Sequence, residues 1–301
     1  MKRLLLLYIT FLFLTGCETT QDVDFPDIKP KLVVNCLFNP DSVFLVHISH
    51  NASIVDYDIN TYDAFGYIEN AEIRIYENNT YIGQLTDAGK GFYLAENVYP
   101  VANAEYRIKV NAGGYDGIWA ESIVPANIEL DTFIWNRQRD PISELGEVFK
   151  VNMVWRDPPG EDYYYLYNLK STSDNPYSYS NPDLFVKDCP LFPDVARPDM
   201  FIFNDHLFEG DTMNLECYCD LGYLSSMDTT YFAFYLAHVS KEFYQWALTL
   251  VEHNAQRRYF SEPVQVYSNI QNGLGLFAGY NTCGDTIAYT WFDFKKGGEM
   301  K

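Results

Sequence analysis

Short runs of β-branched and aromatic residues, each bounded by Asn, Asp, Gly or Pro, recur along this chain from residue 31 onward. In residues 71–76 and 105–110 polar and apolar side chains alternate, which gives each run one apolar face, as in a strand packed on one side. Turn sequences such as Asn78-Asn79 separate neighbouring runs. The 25 Tyr and 21 Phe of the chain also favour strands. The pattern predicts an all-β protein.

The runs fall into two groups along the sequence. Residues 31–126 carry closely spaced strands and predict an immunoglobulin-like β-sandwich of about a hundred residues. Residues 127–301 predict a second, larger domain, either a β-sandwich or a partly open barrel. One helix is expected near 240–254, because Ser240 can cap its first turn and Phe243, Trp246 and Leu250 follow at helical spacing.

The N-terminus has the order of an export signal. Lys2 and Arg3 precede an apolar stretch over residues 4–14, which is too short to span about 30 Å of bilayer hydrocarbon. Leu-Thr-Gly at 14–16 then leads to Cys17, as bacterial lipoprotein processing requires. We therefore expect residues 1–16 to be a signal peptide and Cys17 to carry fatty acyl chains such as palmitate. Residues 17–30 are polar and acidic and predict a flexible tether.

The formal net charge of −20 makes nucleic acid an unsuitable partner, since the chain and a phosphate backbone repel each other. The expected contact of the protein with a membrane is therefore the lipid attached to Cys17, where two or more acyl chains give stable anchoring.

A calcium loop is one reading of residues 56–63. Asp56, Asp58 and Asn60 have the alternate spacing of a calcium loop, and Asp63 adds a further carboxylate. The Gly and Glu that an EF-hand needs further on are missing, so the other reading is a solvated acidic loop. The sequence predicts no other metal site and no cofactor.

Five cysteines follow Cys17, and export makes disulfides available to them. We expect Cys189 to pair with Cys217, with Cys219 as the alternative partner, because these residues flank one loop-rich region. Zinc binding by Cys217 and Cys219 is disfavoured, since one intervening residue is fewer than zinc sites use.

Local catalytic motifs are missing from the sequence: it has no nucleophile elbow, no His-Glu-x-x-His and no phosphate loop. The chain is therefore expected not to be an enzyme. The alternative is a glycan-binding or glycan-degrading protein, because a carboxylate pair can be assembled by the fold without local spacing. Candidate sugar-stacking side chains are Tyr163, Tyr164, Tyr165, Tyr177 and Tyr179.

Residues 260–280 read FSEPVQVYSNIQNGLGLFAGY. This segment resembles the hallmark of a Bacteroidota outer-membrane lipoprotein family, domain of unknown function 4249, and looser similarity covers the mature chain. The motif residues are Glu262, Pro263, Asn269, Asn272, Gly273 and Gly275. A hydrogen-bonded corner and close strand approach explain these residues at least as well as a site does.

The resemblance implies a lipoprotein at the outer membrane, facing the cell surface, with the periplasmic leaflet as the alternative. It also implies a neighbouring TonB-dependent receptor, an outer-membrane β-barrel, as partner. The function expected is that of a non-catalytic accessory or ligand-capture protein of such a transport system.

Overall fold

The computed structural model describes residues 29–51, 66–143, 146–175, 177–192, 195–196, 200–221, 229–256 and 264–290. The predicted signal peptide, Cys17 and the tether up to residue 28 lie outside the described residues. So do the predicted calcium-loop residues Asp56, Asp58, Asn60 and Asp63, and Glu262 and Pro263 of the family motif.

Seventeen strands and one helix make up the described part of the chain. The strands of the first half are β1 Leu32–Phe38, β2 Leu45–His50, β3 Glu72–Glu77, β4 Thr80–Gln84, β5 Thr86–Gly89, β6 Phe92–Leu94, β7 Glu105–Asn111 and β8 Ile118–Ile123. The second half has β9 Leu130–Arg139, β10 Glu147–Arg156, β11 Tyr163–Thr172, β12 Leu184–Lys187, β13 Val195–Ala196, β14 Phe201–Asn204, β15 Thr212–Asp220, β16 Thr230–Val239, α1 Lys241–Gln256 and β17 Leu274–Tyr289.

The strands form three sheets. An eight-stranded sheet has the order β14-β11-β16-β17-β1-β2-β6-β5, a five-stranded sheet the order β13-β12-β15-β10-β9, and a four-stranded sheet the order β4-β3-β7-β8. One buried cluster joins side chains of β1 and β2 to those of β3, β7 and β8, and another joins β11 and β16 to β10 and β15. The large sheet is therefore covered by a smaller sheet at each end, as in two sandwiches that share one layer.

The shared layer depends on strand β17. Its first part pairs in parallel with β1, from Val33 opposite Leu274 to Phe38 opposite Gly279. Its second part pairs antiparallel with β16, from Val239 opposite Tyr280 onward. One strand thus continues from the first sandwich into the second, and Phe277 lies in the first core, 4.5 Å from the Phe38 ring centre.

Helix α1 covers the outer face of the large sheet. The Ser240 hydroxyl accepts a hydrogen bond from the Phe243 amide at 3.3 Å, which is the N-cap that the sequence predicts. Phe243 and Ala247 are buried in a cluster with Val239 and Leu276. The predicted helix therefore packs its apolar stripe on the sheet.

The all-β class with one helix and sandwich architecture is confirmed for the described residues. The division at residues 126 and 127 stays a prediction, and the pairing of Leu274–Gly279 with β1 adds chain from beyond it to the first sheet. Within the described ranges, no helix has both the length and the apolar content needed to cross a bilayer.

Candidate functional site

The connection between β8 and β9 is fixed across the large sheet by two buried polar side chains. Asn281 donates to the carbonyl of Pro125 at 3.5 Å. His238 lies 3.0 Å from the carbonyl of Ala126 through Nδ1 and 2.8 Å from Asp162 through Nε2. Both ring nitrogens face acceptor oxygens, so both hydrogen bonds form when the ring carries two protons. The connection is thus held in a defined position.

A groove opens beside this connection, where the two sandwiches meet. We call it the junction groove. It encloses about 690 Å³, and the residues that line it include Asp41, Glu129, Phe133, Tyr235, Cys283 and Asp285. A second groove of about 490 Å³ lies on the other side of residues 127–129 and extends to Asp131, Arg156 and Asp157.

The junction groove is acidic. Asp41, Glu129 and Asp285 are all exposed, and none of the three forms an ion pair with a residue in the described ranges. Because their charges are not neutralised locally, they create a negative potential across the opening. Such a groove can accept hydrogen bonds from hydroxyl-rich ligands and attract cationic ones.

Three stacked tyrosines lead up to the junction groove. We call them the tyrosine row: Tyr165, Tyr167 and Tyr235. The ring centres of Tyr165 and Tyr167 are 5.3 Å apart, and those of Tyr167 and Tyr235 are 5.0 Å apart, with interplanar angles of 19° and 23°. All three are half-buried, on the helix side of the sheet. Burial raises the pKa of Tyr167, so its hydroxyl group stays protonated and can donate.

The Cys283 thiol in the groove is a poor nucleophile. It is partly buried and donates to the carbonyl of Leu236 at 3.7 Å. Burial raises its pKa to about 11, so the reactive thiolate is scarce at neutral pH. Cys283 therefore contributes packing rather than chemistry to the groove.

The structure places the predicted disulfide partners in one core without joining them. Cys217 is fully buried and Cys189 packs at the margin of the same cluster, and both are free thiols. Cys219, the alternative partner, is also a free thiol in that cluster. The bridge is not formed in this structure and stays a prediction.

The family-motif residues within the described ranges connect β8, β17 and the chain before β17. Asn269 donates to the carbonyls of Glu121 at 3.0 Å and Phe277 at 2.7 Å, and accepts from the Phe277 amide at 3.0 Å. Asn272 donates to the carbonyl of Gly117 at 3.4 Å. Through these side chains the segment before β17 is tied to the backbone of β8, of the residue before β8 and of β17. The motif therefore stabilises β17, the strand that the two sandwiches share.

Two motif glycines allow close backbone approach. A Cβ at Gly273 would lie 2.9 Å from the Leu32 carbonyl oxygen, and one at Gly275 only 1.9 Å from that of Val34. Gly275 also has a φ of 106°, a conformation that side-chain-bearing residues rarely adopt. Any larger residue at this position would push β1 and β17 apart.

The tyrosines considered for sugar stacking divide into buried and exposed residues. Tyr163 and Tyr164 are 6% and 0% exposed and cannot offer a ring face to a ligand. Tyr177 and Tyr179 are 91% and 61% exposed, away from the row. Tyr165 belongs to the row with Tyr167 and Tyr235, which sequence reasoning missed.

The sequence carried one usable signal for the tyrosine row. Tyr165 and Tyr167 are two residues apart on a strand, and this spacing puts both rings on one face. The groove carboxylates Asp41, Glu129 and Asp285 carried no such signal, because they come from three distant parts of the chain.

A model of the domain of unknown function DUF4249 matches residues 18–283. The chain belongs to the DUF4249 family. The DUF4249 match runs from the residue after Cys17 into β17, so it includes both sandwiches and most of the junction groove. A comparison with curated proteins found no match.

Proposed function

We propose that this DUF4249 family member is a lipid-anchored, non-catalytic ligand-capture protein of the outer membrane that works beside a TonB-dependent transporter. The observation that carries the capture role is the junction groove, which is open and lined by three carboxylates that form no ion pair with any described residue. The export-signal pattern of residues 1–16, followed by Cys17, supports the lipid anchor. The transporter is inferred from the family resemblance.

The groove suits capture and release. Exposed carboxylates at its rim are hydrogen-bonded to water, so a ligand only replaces those water contacts and its affinity stays moderate. A ligand held in an open groove also dissociates readily, which favours transfer to a second protein. The expected ligand is a small hydroxyl-rich or cationic molecule.

The length of the predicted tether limits the distance of the junction groove from the membrane. An extended chain from Cys17 to Lys29 reaches at most about 40 Å. The folded body would then stay within one protein diameter of the lipid surface, where the mouth of an outer-membrane barrel lies.

The partner can be tested by affinity isolation of the tagged full chain from detergent-solubilised outer membranes after cross-linking in intact cells. We expect enrichment of a TonB-dependent β-barrel, identified by mass spectrometry. A Cys17→Ser variant is the matched control, because it keeps the folded body and loses the anchor. Recovery of no outer-membrane barrel with the wild-type chain would contradict the proposal.

Glycan binding is the second candidate, and the tyrosine row favours it. Aromatic faces stack on pyranose rings, and the carboxylates of the groove can accept the sugar hydroxyl groups. Calorimetric titration with a panel of oligosaccharides should then show binding that weakens in Asp285→Asn. Glu96→Gln, an exposed acid outside the groove, is the control. Measuring new reducing ends in the same samples would separate binding from degradation.

A further inference from the structure

Two loops meet at one end of the second sandwich. Residues 157–162 follow β10 and residues 205–211 follow β14. The Asp157 amide donates to the carbonyl of Asp211 at 2.9 Å, and the Gly210 amide donates to Asp157 Oδ2 at 2.8 Å. The Asp162 amide donates to Asp205 Oδ2 at 2.9 Å. The loops are therefore fixed relative to each other.

Three carboxylates converge where these loops touch. Asp157, Asp205 and Glu209 each present one oxygen, and these oxygens lie within 4.8 Å of one another. We call this set the acidic corner. Asp157 and Asp205 are 2% and 0% exposed, whereas Glu209 reaches the surface. Like charges at this distance repel strongly when water is largely excluded.

The hydrogen bonds of the acidic corner leave one buried oxygen without a partner. Asp157 accepts from the Tyr164 hydroxyl and the Gly210 amide, and Glu209 accepts from the Gly160 amide at 2.7 Å. Asp205 uses Oδ2 for the Asp162 amide, while its buried Oδ1 has no hydrogen-bond partner. A buried carboxylate oxygen in this state is stabilised by a cation beside it or by a proton shared with a neighbouring carboxylate.

The chain supplies no such positive group in the described ranges. The ion pairs near the corner are those of His238 with Asp162 and of Lys241 with Glu161, and no Lys or Arg pairs with the corner itself. The buried Oδ1 of Asp205 therefore has no cationic side chain paired with it in this part of the chain.

We propose that the acidic corner binds Ca²⁺ between Asp157, Asp205 and Glu209. The ligand set contains only oxygen, which hard cations prefer and which suits zinc poorly. Calcium accepts irregular geometry and six to eight oxygens, so water and the exposed Glu209 side chain can complete its shell. The ion would join two loops that are distant in sequence and would stabilise one end of the second sandwich. This site is distinct from the loop at Asp56–Asp63 considered in the sequence.

Calcium titration of the full chain after treatment with a chelator tests the site. We expect binding heat by calorimetry and a melting temperature raised by about 3–5 °C at a calcium concentration about ten times the dissociation constant. Glu209→Gln should weaken binding at least tenfold while leaving the fold intact, because Glu209 is exposed. Glu161→Gln removes an exposed acid from the same surface and should bind calcium like the wild type.

Two results would overturn the proposal. One is a wild-type chain with neither binding heat nor a melting shift. The other is an unchanged calcium response in Glu209→Gln, which would assign the binding to another part of the chain. Asp205→Asn adds a second test, since it keeps an acceptor for the Asp162 amide and should also lose the response.

Discussion

At the scale of single residues, buried polar side chains fix the positions of segments that are distant in the sequence. Asn269 and Asn281 satisfy backbone groups of distant segments, and His238 fixes the connection before β9. The sequence marked Asn269 through its motif, but nothing local marked Asn281 or His238. Their roles depend on which backbone groups the fold brings near, and a single sequence does not contain that information.

Asn269→Ala should lower the free energy of unfolding by about 2–4 kcal/mol, because it leaves the buried amide and carbonyl of Phe277 without their side-chain partner. Urea unfolding followed by fluorescence measures this change. Asn152→Ala removes an amide hydrogen bond to Asn214 near the surface and should cost about 0.5 kcal/mol or less. Equal effects of the two variants would contradict the scaffold role of Asn269.

Asp205 should make stability depend on pH when calcium is absent. Burial raises its pKa in the folded chain to about 6, above the ordinary unfolded value of about 3.9. The folded state binds this proton more tightly, so the free energy of unfolding falls as pH rises from about 4 through about 6. Melting curves in chelator should show a smaller pH effect in Asp205→Asn. Asp211→Asn, an exposed acid of the same loop, should match the wild type.

At the scale of elements, alternation predicted strands at 71–76 and 105–110, which the structure places at Glu72–Glu77 and Glu105–Asn111. Elsewhere strand pairing overrides the local signals. Residues 130–135, at the start of the predicted second domain, form the first part of β9. Strand β17 runs unbroken through Asn281, Gly284 and Asp285, although Asn, Gly and Asp favour turns. Its ladder with β16 continues across these turn-forming residues.

Residues 264–267 form no regular element, although Val-Gln-Val-Tyr alternates apolar and polar side chains as a strand does. The segment is held instead by side chains: Thr249 of α1 accepts from the Tyr267 amide at 2.8 Å, and His253 lies 2.7 Å from the Val264 carbonyl. The backbone of this short run is therefore hydrogen-bonded by side chains of the helix and not by a neighbouring strand.

Gly275→Ala should separate β1 from β17. The new Cβ would lie 1.9 Å from the Val34 carbonyl oxygen, and alanine is strained at a φ of 106°. We expect a loss of at least about 3 kcal/mol in unfolding free energy, measured by denaturant titration. Gly113→Ala is the control, because nothing lies within 4 Å of its new Cβ. A fully stable Gly275→Ala chain would show that the two strands do not pair as described.

At the scale of the whole molecule, composition and periodicity predicted the all-β class, whereas the shared strand could not be predicted. The pairing of β1 with β17 joins segments near opposite ends of the described chain. No local pattern encodes a contact between segments so far apart in the sequence. The junction groove lies where this pairing brings the two sandwiches together. For the same reason, the groove carboxylates could not be grouped from sequence.

A fragment of residues 29–126 should not fold by itself. It lacks Leu274–Gly279, the parallel partner of β1, and it lacks Phe277 from the centre of the first core. We expect little chemical-shift dispersion by NMR and no cooperative melting transition. A cooperatively folded fragment would show that the first sandwich is independent of β17.

The proposed function depends on the claim that the mature protein is a folded body held at the membrane by acyl groups on Cys17. Mass spectrometry of the N-terminal peptide of the protein, isolated from its native membranes, tests this most directly. The account predicts a peptide that begins at Cys17 and carries acyl groups on its sulfur and its amine. A peptide that retains residues 1–16, or one with an unmodified Cys17 thiol, would contradict it.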